Sequence, residues 1–111
     1  MTVKDISKIE GLRLAAEGNM ELPVSRIFCC DLLSIAMGKA PAGCAWVTVM
    51  GNKNTVAVAS LTDTACIILA EGVRLSEADR ECAAGEGISV FETELPVFEA
   101  ALALHRLKEN L

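Results

Sequence analysis

The chain has 111 residues, 52% of them hydrophobic, and a formal net charge of −5 from 15 acidic and 10 basic side chains. That length supports one domain, residues 1–111, able to bury roughly two-thirds of its unfolded surface. Lys and Arg are scattered singly on an acidic background, which excludes a nucleic-acid partner because phosphate repels such a surface.

With three Phe, one Trp and no Tyr, the apolar mass is Ala, Val, Leu, Ile and Cys, suited to tight helix-on-sheet layers. It is high for a small monomer, and a shared interface would absorb the excess, so a homodimer is expected. The opening MTVKDISKIEGLR is charged throughout, unlike a targeting peptide. No window approaches about 18 consecutive apolar residues, so no membrane partner is expected and a cytoplasmic location is.

Thr2 is placed to cap a helix over residues 3–9, with Val3, Ile6 and Ile9 on one face and Gly11 at its end. Residues 12–15 read as a strand and Glu17-Gly18-Asn19 as a turn. A second strand is expected over residues 22–29, with Pro23 near its start or at a sheet edge. Asp31 reads as the N-cap of a short helix, 32–37, closed by Gly38 in the left-handed conformation, before a loop at 39–43. Residues 44–50 are large or β-branched without interruption, as in a strand buried on both faces.

After a break at residues 51–54, the run 55–61 supports two readings. Its Val-Ala-Val-Ala pattern suits the second arm of a hairpin; its small residues equally suit a helix capped by Asn54. Helix is preferred because Thr62-Asp63-Thr64 supplies a stop. Residues 65–69 are a buried strand. Ser76 caps a helix over 77–84, ended by Gly85, and a strand follows at 88–91. Thr93 caps a last helix, 94–108, with Pro96 in its first turn. Val97, Phe98, Ala101, Leu102, Leu104 and Leu107 spread widely around that helix, which predicts contact with more than one sheet face and makes it the first candidate for the dimer contact. His105 falls on this apolar arc. The fold class is therefore α/β, a layered domain with a mostly parallel or mixed sheet flanked by short helices.

In such a sheet, ligands sit against the loops after the strands, here residues 51–54, 71–74 and 91–93. Asn52, Lys53, Asn54 and Arg74 are the candidate ligand-binding residues. Lys53 and Arg74 bring positive charge, and free N–H groups of a helix beginning near Asn54 would complete a cradle for a nucleotide phosphate or another anionic small molecule. The plainer reading is two solvated cations and an asparagine turn. Asp31 and Ser34 could form a polar pair, but helix capping accounts for Asp31. Glu77, Asp79, Glu81 and Glu86 read as a solvated helix surface, since EF-hand spacing is absent.

No catalytic residue, metal or cofactor is expected. The five cysteines contain no C-x-x-C and there is one His, so the thiols read as small buried hydrophobes. Met37-Gly38-Lys39-Ala40 lacks the leading glycine and hydroxyl of a phosphate-cradling loop.

The series Asp31-Leu32-Leu33-Ser34, Met37-Gly38, Trp46-Val47-Thr48, Val56-Ala57-Val58-Ala59-Ser60-Leu61 and Ile67-Ile68 resembles the free-standing DRTGG domain. So does the close, Gly87-Ile88, Thr93-Glu94-Leu95 and Phe98-Glu99, and the likeness runs over residues 2–108. Related forms occur in CBS-containing pyrophosphatases, in phosphotransacetylases and at the N-terminus of HPr kinases. The resemblance implies an HPr kinase N-terminal-domain-like fold and a homodimeric regulatory module that assists sensing of an adenine nucleotide without doing chemistry. Free-standing copies accompany iron hydrogenase and sensor-kinase genes, which implies a redox- or hydrogenase-associated protein partner. The alternatives are a protein-interaction subunit without a small ligand and, by analogy with HPr kinases, a kinase-like enzyme. This chain departs from the pattern at Ser25-Arg26-Ile27-Phe28, where a Gly-Gly pair would stand; Arg26 and Ile27 lack glycine's freedom, which argues against a ligand role there. Asn52-Lys53 stands where a His-containing loop is expected.

Overall fold

The computed structural model describes residues 1–111, and its five strands form one sheet in the order β1-β5-β4-β3-β2. The strands are β1 (Arg13–Ala16), β2 (Ile27–Cys29), β3 (Ala45–Thr48), β4 (Cys66–Leu69) and β5 (Ser89–Glu92). The helices are α1 (Val3–Ile6), α2 (Leu33–Lys39), α3 (Lys53–Leu61), α4 (Glu77–Gly85) and α5 (Val97–Glu109). Strands β2 to β5 run parallel, and β1 joins the β5 edge antiparallel. The sheet is mixed and mostly parallel, as the alternating pattern implied.

From β2 to β5 the chain steps across the sheet in one direction. Crossovers of constant hand then place α2, α3 and α4 on the same face. Their buried residues Ala36, Val56, Val58, Ala59 and Ala83 pack with Trp46, Ile67, Leu69 and Val90. On the other face Val3 and Ile6 of α1 and Ala100 and Leu104 of α5 pack with Val47, Ile68 and Phe91. Neighbouring strand residues therefore face different layers, Trp46 one way and Val47 the other. Both faces are covered, which is why β3 and β4 are buried at every position and do not alternate with polar residues.

Several boundaries differ from the sequence reading, each for a local reason. Helix α1 ends at Ile6, three residues early; Asp5 stabilises it by accepting from Thr2 N–H at 2.8 Å, which holds the Asp5 carboxyl below its usual range. The strand expected from residue 22 begins only at Ile27. Residues 19–25 instead carry the chain between opposite sheet edges, strapped to the N-terminus by Val3 N–H to Leu22 O and Val24 N–H to Met1 O. Pro23 makes an isolated bridge to Thr2.

Gly38 does not close α2; it lies inside the helix, which continues to Lys39. Gly87, not Gly85, takes the left-handed conformation after α4, at φ +75°. The run 55–61 is helical, but its cap is Asn52, whose Oδ1 accepts from Asn54 and Thr55 N–H. Thr93 does not cap α5, which begins at Val97. Its first N–H is taken by the Glu71 carboxylate at 3.1 Å, reaching from the loop after β4. Helix α5 packs against β2 and β3 on a single face of the sheet, not on two. Its Phe98 is 68% exposed and His105 is exposed beside Glu109, with Nε2 to Oε1 at 3.7 Å, so neither belongs to a buried arc.

Candidate functional site

All four parallel strands end on one rim, and the loops leaving them carry the candidate residues. Gly51 brings two of these loops together: a Cβ there would stand 2.6 Å from Val73 Cγ1 and 3.5 Å from Arg74 O. A side chain at residue 51 would have to displace Val73, so glycine keeps the loop after β3 against the loop after β4. The residues around Asn52, Lys53, Asn54 and Arg74 thus share one side of the rim.

Their arrangement is only partly the expected cradle. Asn52 spends its side-chain oxygen on the Asn54 and Thr55 N–H groups, at 2.9 and 3.2 Å. Those donors are therefore not free; of the first three N–H groups of α3, only that of Lys53 is uncommitted. Lys53, Asn54 and Arg74 are exposed. The Thr55 hydroxyl, in a residue 1% exposed, has no hydrogen-bond partner, but its burial keeps it from a solvent-borne ligand.

Asp31 does not cap α2. Its Oδ1 accepts from the Thr48 hydroxyl at 2.8 Å and from Val49 N–H at 2.9 Å, while Thr48 Oγ1 accepts from Met50 N–H at 3.2 Å. The carboxylate thereby satisfies backbone leaving β3, where the ladder stops. Asp31→Ala is expected to cost about 1–2 kcal/mol, the range for a hydrogen bond to a charged group. Asp31→Asn, keeping the oxygen, should recover part of it, whereas Asp31→Ser, a good helix cap but too short to span to β3, should not. Full rescue by serine in a urea titration would show that capping is what Asp31 does.

Two recesses open at the opposite rim, by the amino ends of the strands. The larger, about 450 Å³, is lined by Ser25, Arg26, Ile27, His105, Lys108 and Glu109. The smaller, about 250 Å³, has Ser60, Asp63, Thr64 and Glu86 among its lining residues. Neither includes Asn52, Lys53, Asn54 or Arg74. The Ser25–Phe28 stretch, discounted for lack of glycine, borders the larger one.

Gly38 and Lys39 form the last turn of α2, not a loop before a helix, so they offer no phosphate cradle. Of the cysteines, Cys44 and Cys66 are buried as expected, but Cys29 and Cys82 are exposed. Although the residue is exposed, partial burial of its thiol, and then the Asp31 charge, push Cys29 up, opposite to what a reactive thiolate requires. Burial pushes Cys66 up further still. No three His, Cys, Asp or Glu side chains gather as a metal site.

No family model matches the chain, and no curated protein matches it either. A solved structure does: the CBS and DRTGG domains of the regulatory region of Clostridium perfringens pyrophosphatase, complexed with its activator diadenosine tetraphosphate. It superposes with a TM-score of 0.77 over 96% of this chain, at 14% sequence identity. The fold is DRTGG-like. At that identity the likeness establishes the DRTGG-like architecture and nothing finer, and the chain spans 46% of the pyrophosphatase structure. No helix of this DRTGG-like fold is long and apolar enough to cross a membrane.

Proposed function

We propose that the protein is a non-catalytic regulatory module, one DRTGG-like domain over residues 1–111. On this reading it acts as a cytoplasmic homodimer and senses a nucleotide or another anionic small molecule. The observation that carries this reading is the fold, shared with a regulatory region complexed with a nucleotide activator. Lys53 and Arg74 would supply the charge, with the open Lys53 N–H at the start of α3 as a backbone donor. Asn52 and Asn54 would shape that loop. Exposed Leu32 and Ile35, three residues apart on the α2 segment, offer one apolar surface for a shared interface, and exposed Phe98 on the other face of the sheet offers a second.

A second reading takes the same apolar side chains, with exposed Met37, as the contact for a redox- or hydrogenase-associated protein, with no small ligand. Thermal melts with AMP, ATP and diadenosine tetraphosphate test the first. Ligand at a hundred times its Kd should stabilise the fold by about 2.7 kcal/mol. Lys53→Ala or Arg74→Ala should remove most of that gain. No stabilisation by any of the three removes the sensing role, and a gain untouched by both substitutions removes the rim site. Sedimentation velocity checks the dimer, and a monomer at all concentrations would discard it.

A further inference from the structure

We infer that the larger recess, at the amino end of β2, is an anion site in which Arg26, His105 and Lys108 hold the phosphate group of a small molecule. It is separate from the rim loops and does not depend on them.

The chain has ten Lys and Arg residues and one His against 15 acidic residues, yet three of those eleven line this one recess. They arrive from two distant segments. Arg26 stands just before β2, while His105 and Lys108 are three residues apart and so share a face of α5. Helix α5 packs against β2, and that docking brings the two segments together.

The recess, about 450 Å³, is open to solvent, so a ligand there stays partly hydrated. The lining does not suit an apolar ligand, because Ile27 is its one hydrophobic member. Recognition here must run through charge and hydrogen bonds. A guanidinium presents a planar fork of donors, an ammonium a compact charge with three donors, and the imidazole a ring N–H. Three donor groups on different arms match a tetrahedral phosphate, with its several acceptor oxygens, better than a two-oxygen carboxylate.

The remaining side chains set limits. Ser25 gives its hydroxyl hydrogen to Ala42 O at 2.9 Å and so cannot donate to a ligand. Glu109 lies 3.7 Å from His105 and is an internal competitor that an incoming anion must displace. Compensation of the helix dipole accounts for Lys108 in the last turn of α5. It does not account for Arg26, which belongs to another segment and borders the same recess.

Amide NMR titrations with inorganic phosphate and with AMP test this. Saturable shifts are expected at residues 25–27 and 105–109, under both ligands or under AMP alone. The first result points to the phosphate ion itself, the second to a nucleotide as its carrier. Arg26→Ala with Lys108→Ala should weaken binding by about tenfold or more, two charge-assisted contacts being lost. Glu109→Gln should tighten it, and Lys53→Ala with Arg74→Ala should leave it unchanged. All five positions are exposed, and a melt of each variant verifies folding. Absence of shifts at these residues with both ligands, or equal affinity in the Arg26/Lys108 double variant, overturns the assignment. Failure here leaves the rim reading standing, and failure there leaves this one.

Discussion

Trp46→Ala is expected to lower the unfolding free energy by about 3–5 kcal/mol, the range for truncating a fully buried aromatic side chain. Trp46 is 0% exposed at the centre of the layer formed by α2, α3 and α4. Pairing with β2 and β4 fixes the backbone beneath Trp46, so that only the covering helices could shift towards the space it leaves. Against a typical total of about 5–15 kcal/mol, that loss is a large share. At about 4 °C per kcal/mol it would lower Tm by about 12–20 °C. Trp46 also donates its ring N–H to Cys30 O at 2.9 Å, at the point where the chain leaves β2. Trp46→Phe should keep most of the packing but leave that carbonyl without its donor, costing about 1–2 kcal/mol. Since Trp46 is the only tryptophan, the alanine variant must be followed by circular dichroism. A loss below about 1 kcal/mol in Trp46→Ala would mean that the two layers repack around β3 and that this core is not the fold's anchor.

The same layers explain which parts of the fold were legible in the sequence. A run of large or β-branched residues such as Ala45–Thr48, or an apolar run such as Cys66–Leu69, has few outlets other than a central strand covered on both faces. What failed were readings in which a local rule had a plausible but wrong partner. Asp31 before Leu32-Leu33 satisfies the capping pattern, yet Thr48, 17 residues on, competes for its oxygen and wins. Gly38 could end a helix, but its face of α2 is open to solvent and the helix runs through it. Phe98 and His105 stand seven residues apart and share one face of α5. Counting Phe98 as core therefore drew His105 into the core with it, and the structure exposes both.

The recess at the amino rim could not have been found by spacing, because Arg26 and Lys108 meet only once α5 has docked on β2. One signal was available in principle. Arg26, in the stretch where the resemblance would place a Gly-Gly pair, is a cation beside an edge strand. Arg26 lacks glycine's close backbone approach, and in the anion site proposed above its part would be played through charge. At the carboxyl rim the loops were legible in the sequence, but not that the Asn52 side chain takes the Asn54 and Thr55 N–H groups.

Glu92 is the residue that sequence reasoning missed with the largest consequence. The sequence reading gave it no role beyond a place in the loop 91–93, but its side chain is 4% exposed at the end of β5. Oε2 accepts from Leu75 N–H at 2.8 Å, and Oε1 accepts from Arg13 Nη2 at 3.2 Å. One carboxylate thus ties the antiparallel edge strand to the loop that enters α4. The two contacts should carry unequal weight. Arg13 is 49% exposed, so water competes for its guanidinium and the pair is worth under about 1 kcal/mol. Leu75 is buried, and its N–H loses its only acceptor when the carboxylate goes. Glu92→Ala is therefore expected to cost about 2–4 kcal/mol, the lost charge-assisted bond plus an unsatisfied buried donor. Arg13→Ala should cost clearly less. Glu92→Gln should fall between, since its amide oxygen can still accept from Leu75 while its amide nitrogen faces a cation. Urea denaturation of the single and double variants gives the coupling directly. An Arg13→Ala loss equal to that of Glu92→Ala would place the weight on the ion pair, and the edge strand would then be held by charge and not by the buried backbone bond.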